Sequence, residues 1–226
     1  CGYSQEEKIM RSRILYTSFP RTGTVWTEKI ITEYLDSIDF NYSIVSHHGM
    51  WTNYPMDLNT PITQETVAKA EICFHKRRRN HKRTIFSNLE RFKIAYSDRA
   101  SEVEMLCNIF DTYVNYHRKW SSYINKYPHT RPIYHEDMLE QKEDYLSPIL
   151  KDSGIYVDKD KLKKCFDKYS TKKAVSKVHI ERQGEASLGN HMIQYLEPDY
   201  EERYEKFLDE WGEKLDNKLK RFEIDS

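Results

Sequence analysis

An apolar run that stops at a proline, a loop with one glycine, and then a helix: this order at residues 14–38 constrains the fold more than any other stretch of the chain. Ile14-Leu15-Tyr16-Thr17-Ser18-Phe19 favours extended structure and meets Pro20, which predicts a strand with an abrupt end. Arg21-Thr22-Gly23-Thr24 follows as a tight loop. Trp26, Ile30, Tyr34 and Ile38 then recur every four residues, the spacing of one buried helix face. A strand that hands a Gly-containing loop to a helix N-terminus aims backbone N–H groups and the positive end of the helix dipole at one spot. That arrangement binds phosphate esters. Arg21 and the hydroxyls of Thr22 and Thr24 add further donors. The segment has one Gly and no Lys-Ser or Lys-Thr pair, so the G-x-x-x-x-G-K-[ST] pattern of ATP and GTP loops is absent.

The rest of the chain extends the pattern. Ile72-Cys73-Phe74 predicts a second strand, running into Lys76-Arg77-Arg78-Arg79. Val103, Leu106, Phe110, Tyr113, His117, Trp120, Ile124 and Tyr127 alternate steps of three and four, predicting a helix over 101–127. Arg131-Pro132-Ile133-Tyr134 predicts a short strand, followed by a helix bearing Tyr145, Leu146, Ile149 and Leu150 and ending at Gly154. Two more helices carry Leu162, Cys165, Phe166 and Tyr169, and Tyr200, Tyr204, Phe207, Trp211, Leu215 and Phe222. Residues 40–62, interrupted by Pro55 and Pro61, read as irregular. Strands alternating with helices predict a single α/β domain with a central parallel sheet flanked by helices, over 14–226, preceded by a polar arm at 1–13.

Composition excludes several classes. The 226 residues hold 36 Lys+Arg and 36 Asp+Glu, a formal charge of zero, and 38% are apolar. An aromatic content of 13%, with 17 Tyr, supports a packed core despite low hydropathy. No apolar run reaches the roughly 18 residues of a membrane span, and the first twenty contain no signal-peptide core. Cysteines at 1, 73, 107 and 165 form no CxxC, which disfavours a disulfide scaffold and a zinc ribbon. The expectation is a cytoplasmic protein with no membrane partner.

Phe19-Pro20-Arg21-Thr22-Gly23-Thr24-Val25-Trp26 resembles the 5′-phosphosulfate loop of the sulfotransferase family, usually Tyr-Pro-Lys-Ser-Gly-Thr-Thr-Trp. Arg21 stands where the family has its catalytic Lys, and Val25 where it has a second Thr. Arg keeps the charge and a planar donor fork but cannot give up a proton. The resemblance makes Trp26 a candidate to stack on adenine. Residues 76–83 hold six permanent positive charges in eight positions, by themselves a solvated or nucleic-acid-binding run. Within it, Arg79-Asn80 with Ser87 eight residues after Arg79 resembles the family's 3′-phosphate signature, with Arg78 as the alternative arginine. Tyr134-His135-Glu136-Asp137-Met138 resembles the family's Tyr-Glu-Asp segment and puts His135 near adenine. Glu181-Arg182-Gln183-Gly184, followed by Leu188-Gly189-Asn190-His191, resembles its Arg-Lys-Gly closing loop, and Ser170-Thr171 matches a hydroxyl pair near adenine.

These matches fall in family order. They imply an enzyme that uses 3′-phosphoadenosine 5′-phosphosulfate and leaves adenosine 3′,5′-bisphosphate, with no metal. The implied acceptor is a hydroxyl or amine on a small molecule or carbohydrate; its identity and the oligomeric state are not read from the sequence. Transfer to a hydroxyl needs a proton acceptor, and His titrates near neutrality. Ser46-His47 resembles the family's Thr-His, so His47 is the candidate base, with His48 as its alternative. His117, on the apolar stripe, reads as a core histidine. The rival readings are a P-loop-type kinase and a nucleic-acid-binding module using 76–83. A neutral chain disfavours the second, so no nucleic-acid partner is expected.

Overall fold

The computed structural model describes residues 11–47, 63–96, 100–169 and 199–224. Four strands, β1 (Ser12–Ser18), β2 (Tyr42–His47), β3 (Ile72–Arg77) and β4 (Thr130–Tyr134), make one parallel sheet in the order β2-β1-β3-β4. The helices are α1 (Thr24–Ser37), α2 (Gln64–Lys69), α3 (His81–Tyr96), α4 (Glu102–Lys126), α5 (His135–Asp152), α6 (Lys159–Lys168) and α7 (Tyr200–Arg221). This is the α/β architecture expected, with helices on both faces of the sheet.

Strand periodicity of two divides the core. Ile14, Tyr16, Ile72, Phe74 and Ile133 face one side, where they pack with Ile30, Ile31 and Leu35 of α1, Met138 and Leu146 of α5, and Phe166 of α6. Leu15 and Cys73 face the other side, against Ile85 and Leu89 of α3, Ile109 and Trp120 of α4, and Tyr204 and Phe207 of α7. Because both faces are covered, the strands read as short continuous apolar runs.

Helix boundaries follow local chemistry. Ser101 and Glu104 form a reciprocal capping box that starts α4. Its predicted stripe is buried from Leu106 to Trp120, whereas Val103, in the first turn, is exposed. Gly154, with φ +77°, lies just past α5 as expected.

Three departures have physical reasons. Residues 42–47, expected to be irregular, form β2. Tyr42 and Ile44 lie against the core while Ser43 and Val45 are exposed, so only part of this strand is apolar and its signal is weak. β1 takes in Ser12 and Arg13, which pair in register with Tyr42 and Ser43, although they belong to the polar segment assigned to the arm. β3 continues through His75, Lys76 and Arg77, which an apolar-run reading stops short of. Pro132 is tolerated in β4 because that strand pairs with β3 alone among the described strands.

The α4 face also buries polar groups. His75 stacks on Trp120, with ring centroids 4.2 Å apart, and its Nδ1 meets Thr17 Oγ1 at 2.9 Å. Arg77 donates to Ser121 Oγ at 2.9 Å and lies 3.5 Å from His117 Nδ1. His117 packs on Tyr113 and His81, as a core histidine. Among the described residues no helix is long and apolar enough to cross a membrane, and no cluster of three His, Cys, Asp or Glu could hold a metal ion.

Candidate active site

In a parallel sheet all strands end at one edge, and the loops leaving them meet there. Ser18, Arg77 and Tyr134 close β1, β3 and β4 at that edge, with Ser18 beside Lys76 and Arg77 beside Tyr134. The segments 19–23 and 78–80, and the start of α5, are thereby brought together.

The 19–23 loop is held from below by its own hydroxyls and from the side by aromatics. Phe19 is buried edge-on to Tyr113 and Tyr116. Thr22 donates to the Phe19 carbonyl at 2.7 Å, and Ser18 and Thr24 share a 2.6 Å hydroxyl contact. Tyr16 donates to the Thr24 carbonyl at 3.2 Å. Thr22 and Thr24, expected as ligand donors, are therefore both engaged in shaping the loop. Arg21 has φ +68° and Gly23 φ +82°. A left-handed Arg costs on the order of 1–2 kcal/mol, which the surrounding bonds must impose. α1 then starts without a side-chain cap and without an acidic residue in its first turn. Such an end attracts an anion.

α5 roofs the loop. A Cβ on Gly23 would sit 2.6 Å from His135 Nδ1, so glycine is required there by space as well as by backbone angle. The His135 ring meets Trp26 edge-on at 5.7 Å, and its Nδ1 is buried with no hydrogen-bond partner. Burial, with Lys76 and Arg78 nearby, pushes the imidazole down to about 2. Trp26 donates from Nε1 to the Tyr169 carbonyl at 3.0 Å and packs on Phe166, which fixes its ring between α6 and the site. Val25, also partly buried, packs into the same core.

The basic run is shared out by alternation along β3 and the turn after it. Lys76 points to the α1 face and is fully buried. Arg78 points the same way: Nη1 lies 3.5 Å from the Arg21 carbonyl, and Nε lies 3.6 Å from Glu136. Arg79 instead turns outward, paired with Asp137 at 2.6 Å and lying over the Tyr134 ring. Glu136 accepts from the backbone N–H groups of Arg79 and Asn80, so the Glu-Asp pair clamps the turn into α3. Lys82 and Arg83 are tied to Asp216 and Glu201 of α7. Of the two arginines left open by the sequence, Arg78 is the one beside the loop.

Ser87 is buried at the junction of α3 and α7, 2.5 Å from the Tyr200 hydroxyl. Its neighbour Asn88 reaches the loop, donating to the Pro20 carbonyl at 3.1 Å. Sequence reasoning passed over Asn88 and Lys76. The four-residue spacing from Thr84, whose carbonyl Asn88 also binds, was the available signal for the first. No local signal marked the second, a lysine within a run of cations. His47 is the last residue of β2, in register with Thr17 near the end of β1. His48, Ser170, Thr171, Arg182, Gln183, Gly184 and the 188–191 segment lie outside the described residues.

No protein-family model matches the chain, and no curated protein sequence matches it. Among solved structures, the crystal structure of mouse sulfotransferase SULT7A1 complexed with PAP is similar, with a TM-score of 0.55. The match covers 93% of this chain and 89% of that chain at 14% sequence identity. At that identity the likeness is one of architecture: this chain has a sulfotransferase-like α/β fold.

Proposed function

We propose that the protein transfers a sulfuryl group from 3′-phosphoadenosine 5′-phosphosulfate to a hydroxyl or amine of a small molecule or carbohydrate. The observation that carries this reading is the convergence of Arg78 and the uncapped N-terminus of α1 on the loop held between Gly23 and His135. The sulfotransferase-like fold supports it.

The donor supplies an activated sulfuryl group, and the residues of this chain bind it and manage charge and protons. Arg21, Arg78 and the amides at the start of α1 would face the 5′-phosphosulfate, and Trp26 and His135 the adenine. His47, with His48 as alternative, would take the acceptor proton as the acceptor oxygen or nitrogen bonds to sulfur. The bond from sulfur to the bridging oxygen breaks, and its electron pair stays on the 5′-phosphate, where the cationic loop stabilises it. Arg79, Ser87, Arg182, Gln183 and Gly184 remain the candidates for the 3′-phosphate side.

Thermal-shift titration tests the nucleotide. Adenosine 3′,5′-bisphosphate should bind at least about tenfold tighter than 5′-AMP, since a charge-assisted bond contributes roughly 1.5–3 kcal/mol. Equal affinity would remove the 3′-phosphate site, and tighter binding of ATP would favour phosphoryl transfer. Once a labelled-donor screen identifies the acceptor, Arg21→Ala should lower turnover by about 10²–10³. His47→Ala should lower it by about 10²–10⁴ with nucleotide affinity unchanged.

A further inference from the structure

Lys76 is the feature that the fold does not explain. Its side chain is wholly buried on the α1 face of the sheet, between Phe74 of the same strand and Arg78 in the turn that follows it. Among the described residues its ammonium has one hydrogen-bonding partner, the thioether of Met138 at 3.4 Å, and it lies 5.7 Å from the centre of the Trp26 ring. A thioether is a weak acceptor, and three N–H donors cannot be satisfied by one. The charged and titratable groups that act on it are Glu136, Asp137 and His135 of α5, and Arg78 in the turn after β3. Both carboxylates are already engaged: Glu136 by Arg78 and by the amides of Arg79 and Asn80, and Asp137 by Arg79.

A Met or Leu at this position would fill the same volume without desolvating an amine, so packing gives no reason for a lysine. Its position does. Across the sheet Lys76 pairs with Ser18, whose hydroxyl holds Thr24 at the start of α1. Beside it is the buried, unpartnered Nδ1 of His135, the ring that closes over Gly23. Two buried polar groups thus lack full partners at one uncapped helix N-terminus.

We propose that Lys76 is a ligand of the 5′-phosphosulfate group, contributing from β3 the ammonium that the loop lacks because Arg21 occupies position 21. The inference rests on the sulfuryl-transfer reading and adds a residue to it. Burial, reinforced by Arg78, holds the Lys76 amine well below its ordinary range. A bound anion reverses that balance, and Lys76 takes up a proton as the ligand binds.

Lys76→Met tests this with three nucleotides: adenosine 3′,5′-bisphosphate, adenosine 3′-phosphate and 5′-AMP. The wild type should prefer the bisphosphate to both monophosphates. In the variant the preference over adenosine 3′-phosphate should fall at least tenfold, because the 5′-phosphate contact is lost, while the preference over 5′-AMP persists. The free variant should melt at a temperature equal to or above that of the wild type, since an unfavourable buried amine has gone. Unchanged nucleotide preferences would overturn the role of Lys76 and leave the sulfuryl-transfer reading standing. A wild type indifferent to the 3′-phosphate would overturn that reading and this inference with it. Should the variant fail to fold, calorimetry of the wild type in two buffers of different ionisation enthalpy decides the matter. At about pH 8.5, above the imidazole range, binding should take up protons; no uptake would overturn the proposal.

Discussion

Lys76 and Arg77 are consecutive basic residues on β3, and they end up in opposite circumstances. Arg77 faces α4, where Ser121 accepts from it and His117 and its neighbours surround the guanidinium. Lys76 faces α1, buried against Met138 and Trp26 with no engaged acceptor except sulfur. The same alternation that sorts apolar residues into two cores therefore sorts two cations into two purposes. On the α4 face, the guanidinium meets stacked rings and the Ser121 hydroxyl, which help hold the fold, although Arg77 Nε and His75 Nε2 stay buried without hydrogen-bond partners. On the α1 face, charge is left over, and an anion would complete it. The difference teaches that the number of cations in a basic run says little about its partner, and the acceptors already spent on each cation say more.

The largest expected effect lies on the structural side. Trp120 is buried and stacks on His75, so Trp120→Ala should cost about 3–5 kcal/mol in denaturant unfolding. The fraction that stays folded should bind adenosine 3′,5′-bisphosphate normally. Lost affinity in that fraction would break the division between faces.

On the ligand side, Arg78→Ala should weaken the same nucleotide by more than about tenfold, the worth of one charged contact. Its melting temperature should change little. A large drop in stability with affinity intact would place Arg78 among the structural cations instead.

Acidification titrates imidazoles on both faces, His75 and His117 on one and His135 on the other. Burial, then Arg77, holds His75 and His117 well below the ordinary imidazole range. The unfolded chain accepts protons near pH 6.5 that the folded chain refuses. Stability is therefore fully present above about 6.5 and falls below it, by about 1.4 kcal/mol per pH unit for each such imidazole. His117→Leu should remove one imidazole's share from the slope of unfolding free energy against pH between 6.5 and 5. An unchanged slope would show that His117 is protonated in the folded protein.

The smallest effect is expected at Arg77. Arg77→Gln should cost roughly 0.5–1.5 kcal/mol for its hydrogen bonds and leave nucleotide affinity unaltered. Affinity loss matching that of Lys76→Met would erase the contrast between the two neighbours.

Much of the fold was legible because its elements announce themselves locally. The stop at Pro20, the stripe from Leu106 to Trp120 and the glycine after α5 each carry a physical signal within a few residues. β2 was missed because, at the edge of the described strands, it packs Tyr42 and Ile44 against the core while Ser43 and Val45 are exposed. The site was legible in its motifs and not in its pairings. Which of Arg78 and Arg79 faces the loop depends on Asp137, and which of Ser87 and Asn88 reaches it depends on Tyr200. Both partners arrive from elsewhere in the chain, and no local spacing encodes them. Lys76 was hidden by its company, since among Lys-Arg-Arg-Arg one buried amine looks like the arginines beside it.

The contact between Gly23 and His135 also limits how such a protein can change over time. A methyl group at 23 collides with the imidazole at 2.6 Å, and the left-handed backbone there resists any side chain. Substitutions at the two positions are thus conditional on each other and ordered. The ring at 135 must shift or shrink before anything larger than hydrogen can be accepted at 23, and even then the backbone angle exacts its cost. Drift can therefore erode the wording around this loop while the one atom-sized gap in it stays fixed.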